Sequence, residues 1–266
     1  MTAPNYIYIF LHPPRSGGES FTKFISDHLS PEESLGVDNL TLSSLTKERK
    51  RKIKFVFGHT SYYGIHKLFP NKTPKYFTVI RDPSEWYVSL YHSRMMDFPE
   101  NKKQSFERWY SLKKRNDMTL YFDEVFREKD DSVRLQFIIK KNLRRVLDRI
   151  DRSKRLHTLL KSMRKKEFKK DKEKIILQNA KKLLDECLFV SITENLRNDI
   201  IYVCKLMGIK PDTKKFQVRS NIVRKLFKLD KKTKHKIYTE NPLDSELYKY
   251  ALKLNKEKKA KLRNLV

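Results

Sequence analysis

The feature that most constrains this chain is a pair of glycines placed directly between a strand pattern and a helix pattern. Residues 5–12 (NYIYIFLH) are typical of a short buried strand, and SFTKFISDHL (20–29) repeats apolar residues on one helical face. Between them lies PPRSGG, although the chain has only six glycines in 266 residues. A strand, a glycine turn and a helix in this order predict the first unit of a layered α/β domain.

The same turn predicts an anion site, because it points backbone N–H groups and the positive end of a helix at one place. Two adjacent glycines let the backbone curl around a phosphate without interference from Cβ atoms. Arg15 adds a charge, and Ser20 adds a hydroxyl at the helix start. Neither GxxxxGK[ST] nor GxGxxG occurs, so Walker A and dinucleotide-binding loops have no fingerprint here. An ordinary strand-to-helix turn is the alternative interpretation.

Strand and helix patterns alternate further along the chain, which predicts a parallel sheet covered by helices on both faces. Further strands are predicted at FVFGH (55–59), KYFTVIRDP (75–83) and CLFVSI (187–192). Further helices are predicted from Trp86 through YVSLYHSRMM, through NDIIYVCKLM up to Gly208, and through LDSELYKYALKLNKEKK. Two cysteines without CxxC spacing, Cys187 and Cys204, are expected to be buried thiols rather than a disulfide or a zinc site.

Residues 97–182 contain no glycine and one proline, so we expect a helical insertion within a single domain spanning 1–266. Residues 141–182 hold 17 Lys and Arg against five Asp and Glu, and the whole chain has a formal charge of +28. Such a charge predicts polyanionic partners, among them nucleic acid, an anionic membrane, an acidic polysaccharide or a phosphorylated cofactor. A lysine-rich genome composition is the alternative. Without a signal peptide or an apolar run of membrane-spanning length, we expect a cytoplasmic protein, unless the chain is part of a longer anchored enzyme.

A second anion site is predicted at IRDPSEWYVSLY (80–91). Arg81 stands at a strand end, where its planar fork of donors suits a phosphate. Ser89 follows about two helical turns into the next helix and can face the same anion. An isolated Arg-Asp pair is commonly a surface ion pair. After a phosphate-binding turn, we interpret Arg81 as part of a second phosphate site.

The two segments together resemble a known family. PPRSGGES resembles the 5′-phosphosulfate-binding loop, and RDPSEWYVSLY the 3′-phosphate-binding segment, of sulfotransferases that use 3′-phosphoadenosine-5′-phosphosulfate (PAPS). The chain is most similar to the carbohydrate branch that includes the heparan sulfate 2-O-sulfotransferases and their bacterial relatives. FGHTSYYGIH, ITENLRNDIIYVCKLMGI and NPLDSELYKYA follow in the family's order, so the resemblance covers about residues 5–95 and 187–255. It implies a P-loop-like three-layer sandwich with a central parallel sheet.

The resemblance also implies roles for individual residues. His59 matches the family's catalytic base, for which an imidazole with a pKa near ~6.5 is suited, and His12 and His66 are its competitors. Arg15 stands where the family has a lysine beside the bridging oxygen of the donor, and it stabilises charge but cannot readily donate a proton. Glu19 stands in place of a threonine, so its carboxylate must turn to solvent or pair with a base. The donor contacts implied are Arg15, Ser16, Gly17, Gly18, Glu19, Ser20 and Phe21 at the 5′ side, Arg81 and Ser89 at the 3′-phosphate, and Arg219 in QVRSN.

The resemblance implies PAPS as donor, 3′,5′-ADP (PAP) as product, no metal, and a carbohydrate acceptor, which the positive charge predicts to be acidic or polymeric. Tyr62, Tyr63 and Trp109 are candidates for stacking on sugars, with core packing as the alternative. Two other functions remain open. A nucleic-acid-binding protein explains the charge but gives His59 and the Arg81–Ser89 spacing no role. A P-loop-like kinase would need ATP and magnesium.

Overall fold

The computed structural model describes residues 5–37, 45–97, 104–127, 170–212, 216 and 228–263. In these residues five parallel strands form one sheet, in the order β2-β3-β1-β4-β5. The strands are β1 (Tyr6–Leu11), β2 (Ser34–Gly36), β3 (Phe55–Gly58), β4 (Thr73–Ile80) and β5 (Cys187–Ile192). The predicted strands are all present, and the short β2 at the sheet edge was not predicted.

Helices connect and cover the strands. They are α1 (Gly18–Ser26), α2 (Lys47–Lys52), α3 (Pro83–Asp97), α4 (Phe106–Ser111), α5 (Asp117–Arg127), α6 (Lys170–Glu186), α7 (Leu196–Met207), α8 (Lys231–Glu240) and α9 (Pro242–Arg263), with short 3₁₀ turns at Ile65–Leu68 and Thr193–Asn195. Helix α3 begins at Pro83 rather than at Trp86, because the Asp82 carboxylate accepts hydrogen bonds from the backbone of Ser84 and Glu85. Gly208 ends α7 in the left-handed conformation, as predicted.

The sheet separates two hydrophobic layers, because successive side chains of a strand point to opposite faces. On one face Ile9 and its neighbours pack against α5, α6 and α9. On the other face Phe10 and its neighbours pack against α1 and α7. The predicted α/β fold, a central parallel sheet flanked by helices and consistent with a P-loop-like sandwich, is therefore confirmed.

Two helices within the predicted insertion take part in this core. Met118 and Phe122 of α5 and Ala180 and Leu183 of α6 are buried in the layer that covers the sheet. Residues 128–169, which hold VRLQFIIKKNL and most of the basic stretch, lie outside the described residues. The single domain and the extent of the basic insertion therefore stay predictions.

A buried polar centre ties α7 and α9 to β5. Asp199 is fully buried and accepts hydrogen bonds from the Ile192 backbone N–H (2.7 Å) and from Asn255 Nδ2 (2.8 Å). It also forms an ion pair with Lys259. The predicted burial of Cys187 and Cys204 is confirmed, and desolvation raises the pKa of each thiol to about 12. None of the described helices has the length and apolar character needed to cross a membrane.

The strand order predicts a crevice between β1 and β4, at the carboxyl ends of the strands. After β1 the chain crosses to β2 on one side of the sheet, and after β4 it crosses to β5 on the other side. The direction of the connections therefore reverses between the adjacent strands β1 and β4. Loops that follow such strands open a cleft at their carboxyl ends, which is where ligands bind in open α/β sheets. The glycine turn follows β1 and Arg81 follows β4, so the topology brings both predicted anion sites to this crevice.

Candidate functional site

The glycine turn forms the start of α1. Gly17 is the N-cap residue with φ +81°, a left-handed conformation that favours glycine. Among the described residues no side chain caps α1, whereas Thr46, Ser105 and Asp230 cap α2, α4 and α8. The positive end of α1 is therefore directed at the crevice without a side-chain acceptor of its own.

Direct hydrogen bonds join the two predicted anion sites. Arg81 donates from Nη1 to the Arg15 carbonyl oxygen (2.9 Å), and Arg15 donates from Nε to Ser89 Oγ (3.3 Å). Trp86 donates from its indole nitrogen to the Pro14 carbonyl oxygen (2.8 Å). Arg81 and Ser89 are 6% and 4% exposed, so both are set into the protein rather than placed on its surface. Arg15 thus meets Arg81 and Ser89, which lie 66 and 74 positions further along the sequence.

A contact that the sequence did not predict closes the other side of the turn. Thr193 follows β5, and its hydroxyl lies 2.8 Å from the Ser16 carbonyl oxygen and 3.1 Å from that of Ile80. One side chain thereby connects the ends of β1, β4 and β5. Its position directly after a predicted strand was the available signal, since the ends of parallel strands meet at one edge.

The two glycines are required for different structural reasons. A Cβ atom on Gly18 would lie 2.0 Å from the His12 ring, so an imidazole fills the space that this glycine leaves. Gly17 is required by its φ angle of +81°, which allows the chain to turn into α1. Arg15 also adopts a left-handed conformation, with φ +62°.

The remaining residues of the turn belong to the first helical turns of α1. Glu19 is exposed, so its carboxylate reaches solvent, whereas Ser20 is buried. The Phe21 backbone N–H donates to the Gly17 carbonyl oxygen (3.3 Å), and its ring stacks on Phe10 with centroids 4.3 Å apart. Phe21 therefore anchors the start of α1 to the core.

The three candidate histidines have different surroundings. His59 follows β3, is half-buried, and has Nδ1 3.3 Å from the His12 carbonyl oxygen. The rings of His12 and His59 are stacked with centroids 4.1 Å apart. His66 lies on the 3₁₀ turn at Ile65–Leu68, with Nδ1 2.7 Å from the Tyr76 hydroxyl, and burial lowers its pKa. Through His12, which packs against Gly18, His59 is linked to the glycine turn, whereas His66 packs on the middle of β4.

A fourth histidine joins the site from α3. His92 lies one helical turn after Ser89 and is 7% exposed. Burial and then the nearby charge of Arg15 lower its pKa, so its neutral form is favoured. The signal in the sequence was its i+3 spacing from Ser89, which places both residues on one face of the helix.

The aromatic candidates for sugar stacking are packed within the protein. Tyr62 and Trp109 are 5% and 4% exposed. Tyr63 is half-buried between Tyr76 and Phe126, and its hydroxyl donates to Glu186. Core packing, the alternative given above, is what the structure shows for Tyr62 and Trp109. Arg219 lies outside the described residues.

The arrangement suits a phosphorylated ligand in its chemistry. An uncapped helix start, two guanidinium groups and a buried hydroxyl supply positive charge and hydrogen-bond donors at one crevice. Within the described ranges, no cluster of three or more His, Cys, Asp or Glu side chains is placed to hold a metal ion. These donor groups fit phosphate and sulfate oxygens. The His12 ring fills the space beside Gly18 but removes none of these donor groups.

The comparison with protein families agrees with this chemistry. Residues 22–130 match the family model of the sulfotransferase domain. The matched range is less than half of the chain; it contains His59, Arg81 and Ser89 and begins within α1, four residues after Gly18. No curated protein matches the chain significantly. The match and the parallel α/β sheet support a transferase of the sulfotransferase class, whose members generally take the sulfuryl group from PAPS and release PAP. The heparan sulfate 2-O-sulfotransferase-like branch stays a prediction.

Proposed function

We propose that this protein transfers a sulfuryl group from PAPS to a hydroxyl group of a carbohydrate, with His59 as the general base. The observation that carries the proposal is the convergence of Arg81, Arg15 and Ser89, because it joins the two segments that resemble the 5′- and 3′-phosphate sites of one nucleotide.

The donor is proposed to bind across the crevice between β1 and β4. Arg15, Ser16, Gly17, Gly18, Glu19, Ser20 and Phe21 form the 5′ side, to which the backbone and the positive end of α1 contribute most. Arg81 and Ser89 are proposed to hold the 3′-phosphate, and Arg219, which lies outside the described residues, is a further proposed contact of the nucleotide. Bound PAPS supplies a sulfuryl group attached to a good leaving group.

The chain's own residues then divide the work of the transfer. His59 accepts the proton of the acceptor hydroxyl while that oxygen bonds to sulfur and the bond between sulfur and the phosphate oxygen breaks. Arg15 and the start of α1 stabilise the negative charge that develops on the departing phosphate. Arginine stays protonated, so its contribution is electrostatic, and the proton remains on His59. The products are a sulfate ester and PAP.

The acceptor is proposed to be an acidic or polymeric glycan. The support is the formal charge of +28, which attracts polyanions at long range and pairs with uronic acid carboxylates. Since Tyr62 and Trp109 are buried, we expect polar and charged side chains rather than these rings to contact the sugar.

A ligand screen by thermal unfolding tests the donor site. PAP at about 100 times its dissociation constant should stabilise the protein by about 2.7 kcal/mol, a rise in Tm of roughly 5 to 10 °C for a domain of this size. ATP with magnesium is the comparison, and a shift confined to it would favour the kinase. A salt-sensitive gel shift on DNA or RNA without any nucleotide, together with no effect of PAP, would favour the nucleic-acid-binding protein.

Transfer of labelled sulfate from PAPS tests the reaction, with heparosan, chondroitin, dextran and 4-nitrophenol as acceptors. Replacing His59 with alanine should abolish transfer while PAP binding is kept. His66→Ala is the matched control, since it removes another half-buried histidine, and its activity should remain. Activity in the His59 variant would remove this residue from the role of base, and transfer only to 4-nitrophenol would overturn the carbohydrate acceptor.

A further inference from the structure

The register of the sheet brings two histidines side by side at the crevice. Leu11 of β1 pairs with Gly58 of β3, so the next residue of each strand, His12 and His59, emerges at the same level. Their rings stack at 4.1 Å with 29° between the planes, and His59 Nδ1 lies 3.3 Å from the His12 carbonyl oxygen. We propose that His12 is a positioning residue that fixes both the orientation and the tautomer of His59. The inference rests on the proposed role of His59 as base.

The contact with the carbonyl oxygen determines which nitrogen of His59 is basic. A carbonyl oxygen only accepts hydrogen bonds, so His59 must donate from Nδ1. In a neutral imidazole the other nitrogen then carries the lone pair. His59 Nε2 is therefore the atom that accepts the proton of the acceptor hydroxyl.

The stacked ring of His12 keeps this hydrogen bond in place. A half-buried side chain after a strand end can rotate about its χ angles, and rotation would turn Nδ1 away from the carbonyl oxygen. The His12 ring covers one face of the His59 ring, so that rotation loses the stacking contact. The backbone of His12 supplies the acceptor and its side chain supplies the packing surface.

His12 is itself held by its surroundings. Its ring is 5% exposed and packs near Phe10, with centroids 5.5 Å apart. On its other side it fills the space above Gly18, where a Cβ atom would lie 2.0 Å away. A ring enclosed by Phe10, Gly18 and His59 is poorly placed to reach an acceptor hydroxyl, which assigns the chemical step to the more accessible His59.

The test compares two substitutions that separate the ring of His12 from its polarity. His12→Gln keeps a similar volume and a polar group but removes the ring, whereas His12→Phe keeps a ring for stacking and removes the nitrogens. Both variants keep the backbone carbonyl oxygen. Thermal unfolding and PAP titration calorimetry on each full-length variant establish that it is folded and binds the nucleotide.

Nitrogen-15 NMR of the imidazoles reads the tautomer directly, at a pH of about 8.5, where histidines are neutral. The chain has seven histidines, and the signals of His59 are assigned by their loss in His59→Ala. We expect the Nδ1–H tautomer of His59 in the native protein and in His12→Phe, and loss of that preference in His12→Gln. An unchanged His59 spectrum in a folded His12→Gln protein would overturn the inference.

Sulfate transfer from PAPS to heparosan or chondroitin gives the second measurement. A misplaced base should lower kcat by up to about 100-fold in His12→Gln, with the KM for PAPS unchanged and with activity largely restored in His12→Phe. If His12→Phe were as inactive as His59→Ala while His59 kept its tautomer, His12 would take part in the chemistry and the positioning role would be wrong. Activity in His59→Ala would instead overturn the proposed role of His59 as base. The NMR result on the tautomer of His59 does not depend on activity and would still test the effect of His12 on His59.

Discussion

Replacing Arg81 with alanine should weaken the binding of PAP far more than the binding of 5′-AMP, which lacks the 3′-phosphate. Arg81 is 6% exposed and donates from Nη1 to the Arg15 carbonyl oxygen, and its planar guanidinium group is the proposed partner of the 3′-phosphate. A hydrogen bond to a charged group contributes about 1.5–3 kcal/mol. That range corresponds to a loss in PAP affinity of roughly 10- to 150-fold.

Titration calorimetry with the two nucleotides, at one ionic strength, measures this difference. Arg81→Lys keeps the charge but not the fork, so its PAP affinity should lie between those of the native protein and Arg81→Ala. Arg51→Ala removes an exposed charge on α2 and reports the general effect of the positive field, which salt screens. We expect it to change both affinities slightly and equally.

Two results would refute the reasoning. Equal losses for PAP and 5′-AMP would mean that Arg81 acts by holding the glycine turn through the Arg15 carbonyl oxygen and does not contact the 3′-phosphate. Unchanged affinity for both nucleotides in a folded Arg81→Ala protein would mean that the nucleotide binds elsewhere.

Three further predictions concern stability. Gly58→Ala should lower Tm measurably, because at φ +139° the new Cβ would lie 2.4 Å from the Val37 carbonyl oxygen, and left-handed strain alone costs about 1–3 kcal/mol; an unchanged Tm would contradict this. Burial raises the pKa of Asp244 to about 7, despite two hydrogen bonds from Thr119. The native state therefore holds a proton that the unfolded state releases above pH ~4. The free energy of unfolding should fall by about 4 kcal/mol between pH ~4 and pH ~7. Urea unfolding of Asp244→Asn should show a flatter pH dependence, and parallel curves for the two proteins would contradict the shift. Asp199→Ala should cost about 3–5 kcal/mol in urea unfolding, because it removes the ion-pair partner of the half-buried Lys259 and the buried acceptor of three further hydrogen bonds; a loss below 1 kcal/mol would contradict the importance of this ion pair.

The strands of the central sheet were predictable because each is an apolar run buried on both faces, which is the signal of a parallel sheet. The three-residue β2 gave no such signal, since its place is set by pairing with β3 rather than by its own sequence. Helix α8 was missed for a related reason. Among the residues of α8 only Ile237 is buried, so there is almost no periodicity to read. The region that holds α5 and most of α6 was predicted to be a helical insertion, but not to cover the sheet, because periodicity reveals an apolar face and not its partner.

The candidate site was predictable to the extent that its groups lie next to strand ends. Arg81 and the glycine turn follow directly after β4 and β1, and parallel strands bring such ends together. The contact between Arg15 and Ser89 depends on side-chain conformations that no local pattern encodes. For the same reason the sequence singled out His12 as a rival base, whereas the fold packs its ring against a neighbour.

The glycine pair shows why a motif read as a single unit can combine two separate constraints. Gly17 is required by its backbone angle, so any side chain there strains the turn into α1, and a Cβ atom would also lie 3.1 Å from the Leu196 side chain. Gly18 has ordinary helical geometry, and glycine is required there for lack of space, because the His12 ring occupies the place that a side chain would take.

The two glycines should therefore respond differently to substitution. A larger residue at position 18 pushes on His12 and, through it, on His59, so it should disturb the base as well as the donor loop. A larger residue at position 17 strains the turn and presses on Leu196, but it does not push on His12. In the proposed mechanism, the stretch that holds the phosphate thus also supports the group that removes the proton. The glycine turn and His59 therefore form one structural unit, although Gly18 and His59 lie 41 positions apart in the sequence.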